Sequence, residues 1–124
     1  APDHGDTRLD LGLLLRERGD LDGAIAQFLA ARKILPGLAT YAMALGTTYA
    51  MQDRINEAVD AVEDAVSLRP TWVKAQVNLG VLLARAGRPV DAAEHLEAAA
   101  MLEPGDPEVM RLLERLKEWG QVSH

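Results

Sequence analysis

The sequence predicts an all-α array of antiparallel helix pairs, and three observations carry that prediction. The first is an internal repeat: Leu11, Leu45 and Leu79 lie 34 residues apart, and so do Gly12, Gly46 and Gly80. The same interval separates Ala24, Ala58 and Ala92, then Phe28, Val62 and Leu96, then Ala31, Ala65 and Ala99, and finally Pro36, Pro70 and Pro104. Repeats of this length mark stacked architectures, in which one unit cannot bury its apolar face alone and its neighbours supply the missing cover. The second observation is local: apolar residues recur at helical spacing, and Asp, Gly and Pro stand where helices start and stop. The third is composition. Hydrophobic residues make up 48% of the chain and aromatics only 4%, so Leu, Val and Ala must fill a core between closely approaching helices.

A unit with a Leu-Gly pair early, a lone Ala midway and a Pro at its end resembles the tetratricopeptide repeat, a helix-turn-helix unit. The resemblance covers repeats at 5–38, 39–72 and 73–106 and implies a right-handed superhelical solenoid of about seven helices, a single domain over residues 1–124. The family serves in scaffolds, chaperone adaptors, secretion systems and regulatory domains of enzymes. Membership therefore implies architecture more firmly than any one task.

The elements follow in order. Ala1 to Asp6 is a polar lead with Pro2 and Gly5, expected to fray, and His4 beside Asp3 and Asp6 offers at most a weak metal site. A first helix is expected from about Thr7 to Arg18, capped by Asp6, with Leu11, Leu14 and Leu15 on its apolar side and Gly19 stopping it. Asp20 caps a partner helix over Leu21 to Leu35 that buries Ile25, Phe28, Leu29 and Ile34. Gly12 and Ala24 are small where the two helices cross, and Pro36 ends the pair because it lacks an amide hydrogen and restrains the residue before it.

The second repeat gives helices over Ala39 to Gln52 and Ile55 to Leu68, the third over Trp72 to Ala86 and Pro89 to Leu102. Pro89 suits a first helical turn. Asp106 and Pro107 open a last helix running to about Trp119, in which Glu114 replaces the repeat glycine and argues against another helix packing there. This segment, 107–119, reads as a cap. Val109, Leu112, Leu113 and Leu116 cover the third repeat, while Glu108, Arg111, Glu114, Arg115, Lys117 and Glu118 face water. Trp119 is expected to fold back on the cap, and Trp72 to pack ahead of the third repeat's first helix. Three residues before the Leu column, where the family often has a bulky side chain, stand Arg8, Ala42 and Gln76, which leaves that corner underfilled. Arg8 and Arg18 are also more polar than a sandwiched helix would want, as if the array began here.

A net charge of −6 disfavours the electrostatic footprint of a nucleic-acid binder. The absence of cysteine removes disulfides, thiolate metal sites and a cysteine nucleophile. The apolar runs are too short for direct membrane insertion, and no basic-then-apolar signal opens the chain. Arg outnumbers Lys by 10 to 3 in an Ala-rich chain, which fits a GC-rich bacterial genome and leaves the compartment open between cytoplasm and periplasm. Catalysis needs convergent polar groups. His4, His95 and His124 are scattered, Ser67 and Ser123 are the only serines, and every glycine is explained by a helix crossing, a helix end or a polar turn. His95 is expected to be solvated beside Glu94. No catalytic residue, metal ligand or cofactor is assigned, and an enzyme is not expected.

What is left is a surface. In the family the first helix of each pair lines the concave side, which here implies a partner-binding groove of Leu9, Leu13, Arg16, Thr40, Met43, Thr47, Lys74, Val77, Asn78, Val81 and Arg85. Leu9, Leu13, Met43, Val77 and Val81 form an apolar band, to be read either as close-packed core or as an exposed floor for a protein or peptide partner. Under the second reading Met43 and Met51 add an adaptable lining. Asp6, Asp10 and Glu17 at one end and Lys74 and Arg85 at the other set the direction of the bound segment. The family's carboxylate clamp is matched by Lys74 alone, since Leu9, Leu13, Ala44 and Asn78 hold the other four places. An asparagine ladder fails likewise, with Asp10 and Ala44 as the counterparts of Asn78. The competing expectations are self-assembly into oligomers through the repeat faces and a regulatory module of a larger enzyme.

Overall fold

The computed structural model describes residues 4–122, and among them it is seven α-helices with no strand. They are α1 (His4–Glu17), α2 (Leu21–Ile34), α3 (Ala39–Met51), α4 (Ile55–Leu68), α5 (Val73–Arg85), α6 (Pro89–Leu102) and α7 (Pro107–Val122). Two compact units divide at the Arg69–Pro70 link. In the first, α1 packs on α2, α2 on α3 and α3 on α4; in the second, α5 packs on α6 and α7 lies against both.

Each helix pair turns through one left-handed residue, and these recur at the repeat interval: Gly19 at φ +88°, Asp53 at +60° and Gly87 at +80°. The following amide then reaches back to close the preceding helix, from Asp20 to the Leu15 carbonyl, Arg54 to Tyr49 and Arg88 to Leu83, each at 2.9 Å. Glycine enters this region without penalty, and Asp is one of the few other residues that visits it. The next helix starts differently in each repeat. Asp20 accepts from the Gly23 amide at 2.9 Å, whereas Arg54 and Arg88 cap nothing and instead pair with Glu57 and Asp91 one turn on. The hydrogen bond between Arg54 and Glu57 raises the pKa of the guanidinium and lowers that of the carboxyl.

The core is built on the small columns. A methyl added to Gly80 would lie 2.6 Å from Leu96 Cγ and 3.3 Å from the Ala92 carbonyl oxygen. One added to Gly46 would overlap Val62 Cγ2 and lie 3.2 Å from the Ala58 carbonyl oxygen, and one added to Gly12 would meet the Phe28 ring. Glycine thus lets the second and third pairs approach to backbone contact and makes room for the Phe28 ring in the first, and Ala24, Ala58 and Ala92, all fully buried, complete the crossing. In the first unit Phe28, Ile25, Leu45, Ala44 and Ala61 share one cluster, with Leu9, Leu15 and Tyr49 at its edge.

The supposedly underfilled corner is occupied in a different way in each repeat. Arg8 donates to Gln27 Oε1 at 3.4 Å, and Gln76 is hydrogen-bonded to His95 Nδ1 at 2.9 Å. In the second repeat the same two places hold buried Ala42 and Ala61. Gln76 is only 6% exposed, and its Nε2 also donates to the Pro70 carbonyl at 2.9 Å. Its Oε1 must then accept, which fixes the proton of His95 on Nδ1. His95 is therefore half-buried and bonded rather than simply solvated.

Other expectations are corrected. α1 starts at His4, because Gly5 weakens a helix by only about 1 kcal/mol relative to Ala and does not stop it. Asp6 thus lies in the first turn instead of capping it, and accepts from the Tyr41 hydroxyl at 3.3 Å. Ala1, Pro2, Asp3, Ser123 and His124 lie outside the described residues. Leu11 is 43% exposed whereas its equivalent Leu45 is fully buried, since α2 covers that side of α3 and no described helix covers it on α1. Leu14 is exposed for the same reason. Leu29 is exposed as well; its counterparts are Glu63 and Glu97, a column that faces solvent throughout. Ile34, Leu68 and Leu102 are all exposed in the last turn of a second helix.

Candidate functional site

The first helices carry the expected groove residues, and the two units present them separately. In the first unit, a cleft of about 840 Å³ is lined by Asp10, Leu13, Leu14, Arg16 and Glu17 of α1 and by Met51 of α3. Leu13 is 37% exposed and Met51 57%. Arg16 is fixed at its base: Nη1 donates to Thr47 Oγ1 at 2.9 Å and Thr48 Oγ1 at 3.3 Å, and the guanidinium lies 5.9 Å from the centroid of the Phe28 ring. Thr48 in turn donates to the Ala44 carbonyl at 2.6 Å, while Thr47 Oγ1 lies 3.1 Å from that of Met43. Both hydroxyls therefore spend their single proton on the helix backbone and keep lone pairs for the cation.

Not every expected residue is on that surface. Met43 is 6% exposed and belongs to the core of α3, so it is no exposed floor. The reason is its position on a helix with neighbours on more than one side, since α2 and α4 both pack on α3. Leu9 is half-buried against the cluster around Phe28, Thr47 is half-buried, and Thr40 is exposed.

In the second unit, Lys74 and Arg85 of α5 are exposed and Val77, Asn78 and Val81 are half-buried. A second cleft, of about 370 Å³, is lined by Gly80, Val81, Ala84 and Arg85 of α5, Leu96 of α6, and Leu112, Arg115, Leu116 and Trp119 of α7. The α7 residues were not expected here. Arg115 reads from the sequence as a water-facing charge and Trp119 as folded back on the cap; the indole instead lines the cleft at 38% exposure. The sequence signal was the spacing of Leu112, Leu116 and Trp119, four and three residues apart on one helix face. A third hollow, of about 430 Å³, involves Arg32, Tyr49, Glu57, Asp60, Ala61 and Asp64. Among the described residues no three His, Asp or Glu side chains gather as metal ligands, and no helix is long and apolar enough to cross a membrane.

Paired helices closing on glycine, turned at fixed intervals, with clefts along the first helices, define a helical repeat protein. Tetratricopeptide repeat models match residues 1–39 and 49–116, and the chain belongs to that family. Among curated proteins it is 41% identical over 91 residues to the peroxisomal targeting signal receptor of Candida albicans. The match covers 73% of this chain and 15% of that receptor. Among solved structures, the first tetratricopeptide domain of Spaghetti (RPAP3) bound to the HSP90 peptide SRMEEVD superposes with a TM-score of 0.86 at 18% identity. That superposition covers 92% of this chain and 90% of the other. The type III secretion chaperone SycD of Yersinia enterocolitica, in complex with a peptide of the translocator YopD, gives 0.87 at 16% identity and covers 97% of both chains. At such identities these structures establish the fold. The named receptor is fungal, so it lends no support to a bacterial source.

Proposed function

We propose that this chain is a non-enzymatic protein-interaction module that holds a short segment of a partner protein against the exposed faces of its first helices. The observation that carries the reading is the open cleft in which Leu13, Leu14 and Met51 stay in contact with water although each is a large apolar side chain. Contiguous exposed apolar surface of this kind is characteristic of interaction sites. Asp10 and Glu17 on its rim supply orientation, and Arg16, held by Thr47 and Thr48, supplies a cation that needs no ordering on binding. Within the first unit Thr40 of α3 is exposed while Leu9 is half-buried and Met43 buried; the second unit presents Lys74, Val77, Asn78, Val81 and Arg85 on α5 by itself.

The comparisons support this reading. The curated relative is a receptor for targeting signals, and two of the structural neighbours hold peptides. A short signal-type segment is accordingly the partner class favoured over a broad folded surface. The test is selection of peptides from a displayed random library on the wild-type chain, followed by affinity measurement on Leu13→Glu. The expected result is enrichment of binders whose affinity falls at least about tenfold in the variant, because the new carboxylate is desolvated against an apolar ligand without a counter-charge. Failure of any peptide to enrich would refute the proposal.

A further inference from the structure

The chain has no cysteine and four methionines, so all of its sulfur is thioether. Peroxides attack an accessible thiolate first; with none in the chain, methionine is the side chain they oxidise most readily. The four methionines differ sharply in access. Met43 is 6% exposed and belongs to the core of α3, whereas Met51, Met101 and Met110 are 57%, 84% and 50% exposed. Met101 on α6 and Met110 on α7 line none of the three hollows. Met51, the last residue of α3, lines the first unit's cleft together with Leu13 and Leu14. Access to solvent and a place on the apolar floor of a cleft therefore coincide at one sulfur.

We propose that Met51 is an oxidative modification site that controls partner binding, its thioether being converted to the sulfoxide by a hydroperoxide. This deepens the partner-binding reading and rests on it. In the reaction a sulfur lone pair attacks one peroxide oxygen, and the S–O bond forms as the O–O bond breaks. The displaced hydroxide or alkoxide takes up the proton and leaves as water or an alcohol. Sulfur gives up two electrons and the peroxide accepts them. A thiol-dependent reductase reverses the change: two thiols become a disulfide, and the oxygen departs as water. The effect on binding follows from the floor that is altered. Reduced Met51 is flexible and apolar, and adapts to an apolar side chain of the partner. The sulfoxide carries a polar, hydrogen-bond-accepting oxygen that water solvates in the free protein, and a docked apolar side chain strips that water without offering a donor. Binding weakens while the fold is kept, because Met51 faces solvent and the buried Met43 is not reached.

The test is a hydrogen peroxide titration of the full chain, followed by peptide-mapping mass spectrometry and, once the peroxide is removed, by fluorescence anisotropy. The anisotropy probe is a labelled peptide from the displayed library that contains neither methionine nor cysteine. Met51 is expected to oxidise at least about tenfold faster than Met43. As Met51 is converted, affinity should fall at least about tenfold with an unchanged circular dichroism spectrum. Methionine sulfoxide reductases for both epimers should restore it. Two variants assign the effect. The double variant Met101→Leu, Met110→Leu should show the full loss on treatment, whereas Met51→Leu, whatever its starting affinity, should show no further loss. Unchanged affinity of the Met51-oxidised chain overturns the proposal, and so does an equal loss in Met51→Leu or a loss that tracks unfolding. If a peptide enriches and binds the reduced and oxidised chains alike, the partner-binding reading stands and the modification site falls. If no peptide enriches, the partner-binding reading itself falls, and with it the control assigned to Met51.

Discussion

Gly46→Ala tests the helix crossing on which the repeat depends. A methyl group at this position would overlap Val62 Cγ2 and lie 3.2 Å from the Ala58 carbonyl oxygen and 3.3 Å from the Val62 amide nitrogen. Two of these three atoms belong to backbone. Val62 is fully buried and β-branched, with one strongly preferred rotamer in a helix, so its methyl has nowhere to turn. Overpacking of this kind costs about 1–3 kcal/mol. Alanine in a helix interior is favoured over glycine by about 1 kcal/mol, which offsets part of it. The net expectation is a loss of about 1 kcal/mol, or roughly 4 °C in Tm for a domain of this size. Urea unfolding followed by circular dichroism measures it, with an unchanged denaturant slope if the native fold is kept. In a Val62→Ala background the overlap with Cγ2 disappears and only the two close backbone approaches oppose the propensity gain, so a double-mutant cycle should show favourable coupling of about 1–2 kcal/mol. A Gly46→Ala variant as stable as wild type, with no coupling to Val62, would refute the crossing geometry.

Two further predictions concern stability. Gly87→Val should cost about 1–2 kcal/mol through backbone strain alone; φ is +80° there and a Cβ would meet nothing within 4 Å. Gly37→Val, equally unobstructed but without the positive φ, should be close to neutral in the same melting experiment. His95→Ala leaves the buried Gln76 Oε1 without its partner and should cost about 1–3 kcal/mol. Adding Gln76→Ala recreates the Ala42 and Ala61 pairing of the second repeat, and the double variant should lose less than the sum of the single ones in urea unfolding.

Much of this architecture is legible in the sequence because the repeat imposes the same physics three times. Gly19 and Gly87, the terminal prolines and the Asp20 cap determine helix ends through local backbone chemistry, and the structure places those ends within a residue or two. Less legible was whatever depends on neighbours. Leu11 and Leu45 share a column yet differ wholly in burial, because cover by an adjacent helix is not encoded in either residue. Met43 looked like groove floor from its repeat position, but α3 is packed by helices on more than one side and takes it into the core. Gln76 and His95 are unremarkable alone and form a bonded pair only once α5 and α6 are apposed. Arg115 and Trp119 became cleft residues because α7 turns one face toward α5, an outcome that its amphipathic pattern allowed without specifying.

The most direct test of the central claim is a backbone amide NMR titration of this chain with a peptide selected from the displayed library. Binding at the first unit's cleft predicts shifts concentrated at residues around Leu13 and Arg16 of α1 and Met51 of α3. The amides of α2 and α4 should stay nearly unmoved. Shifts concentrated on those second helices would contradict the account.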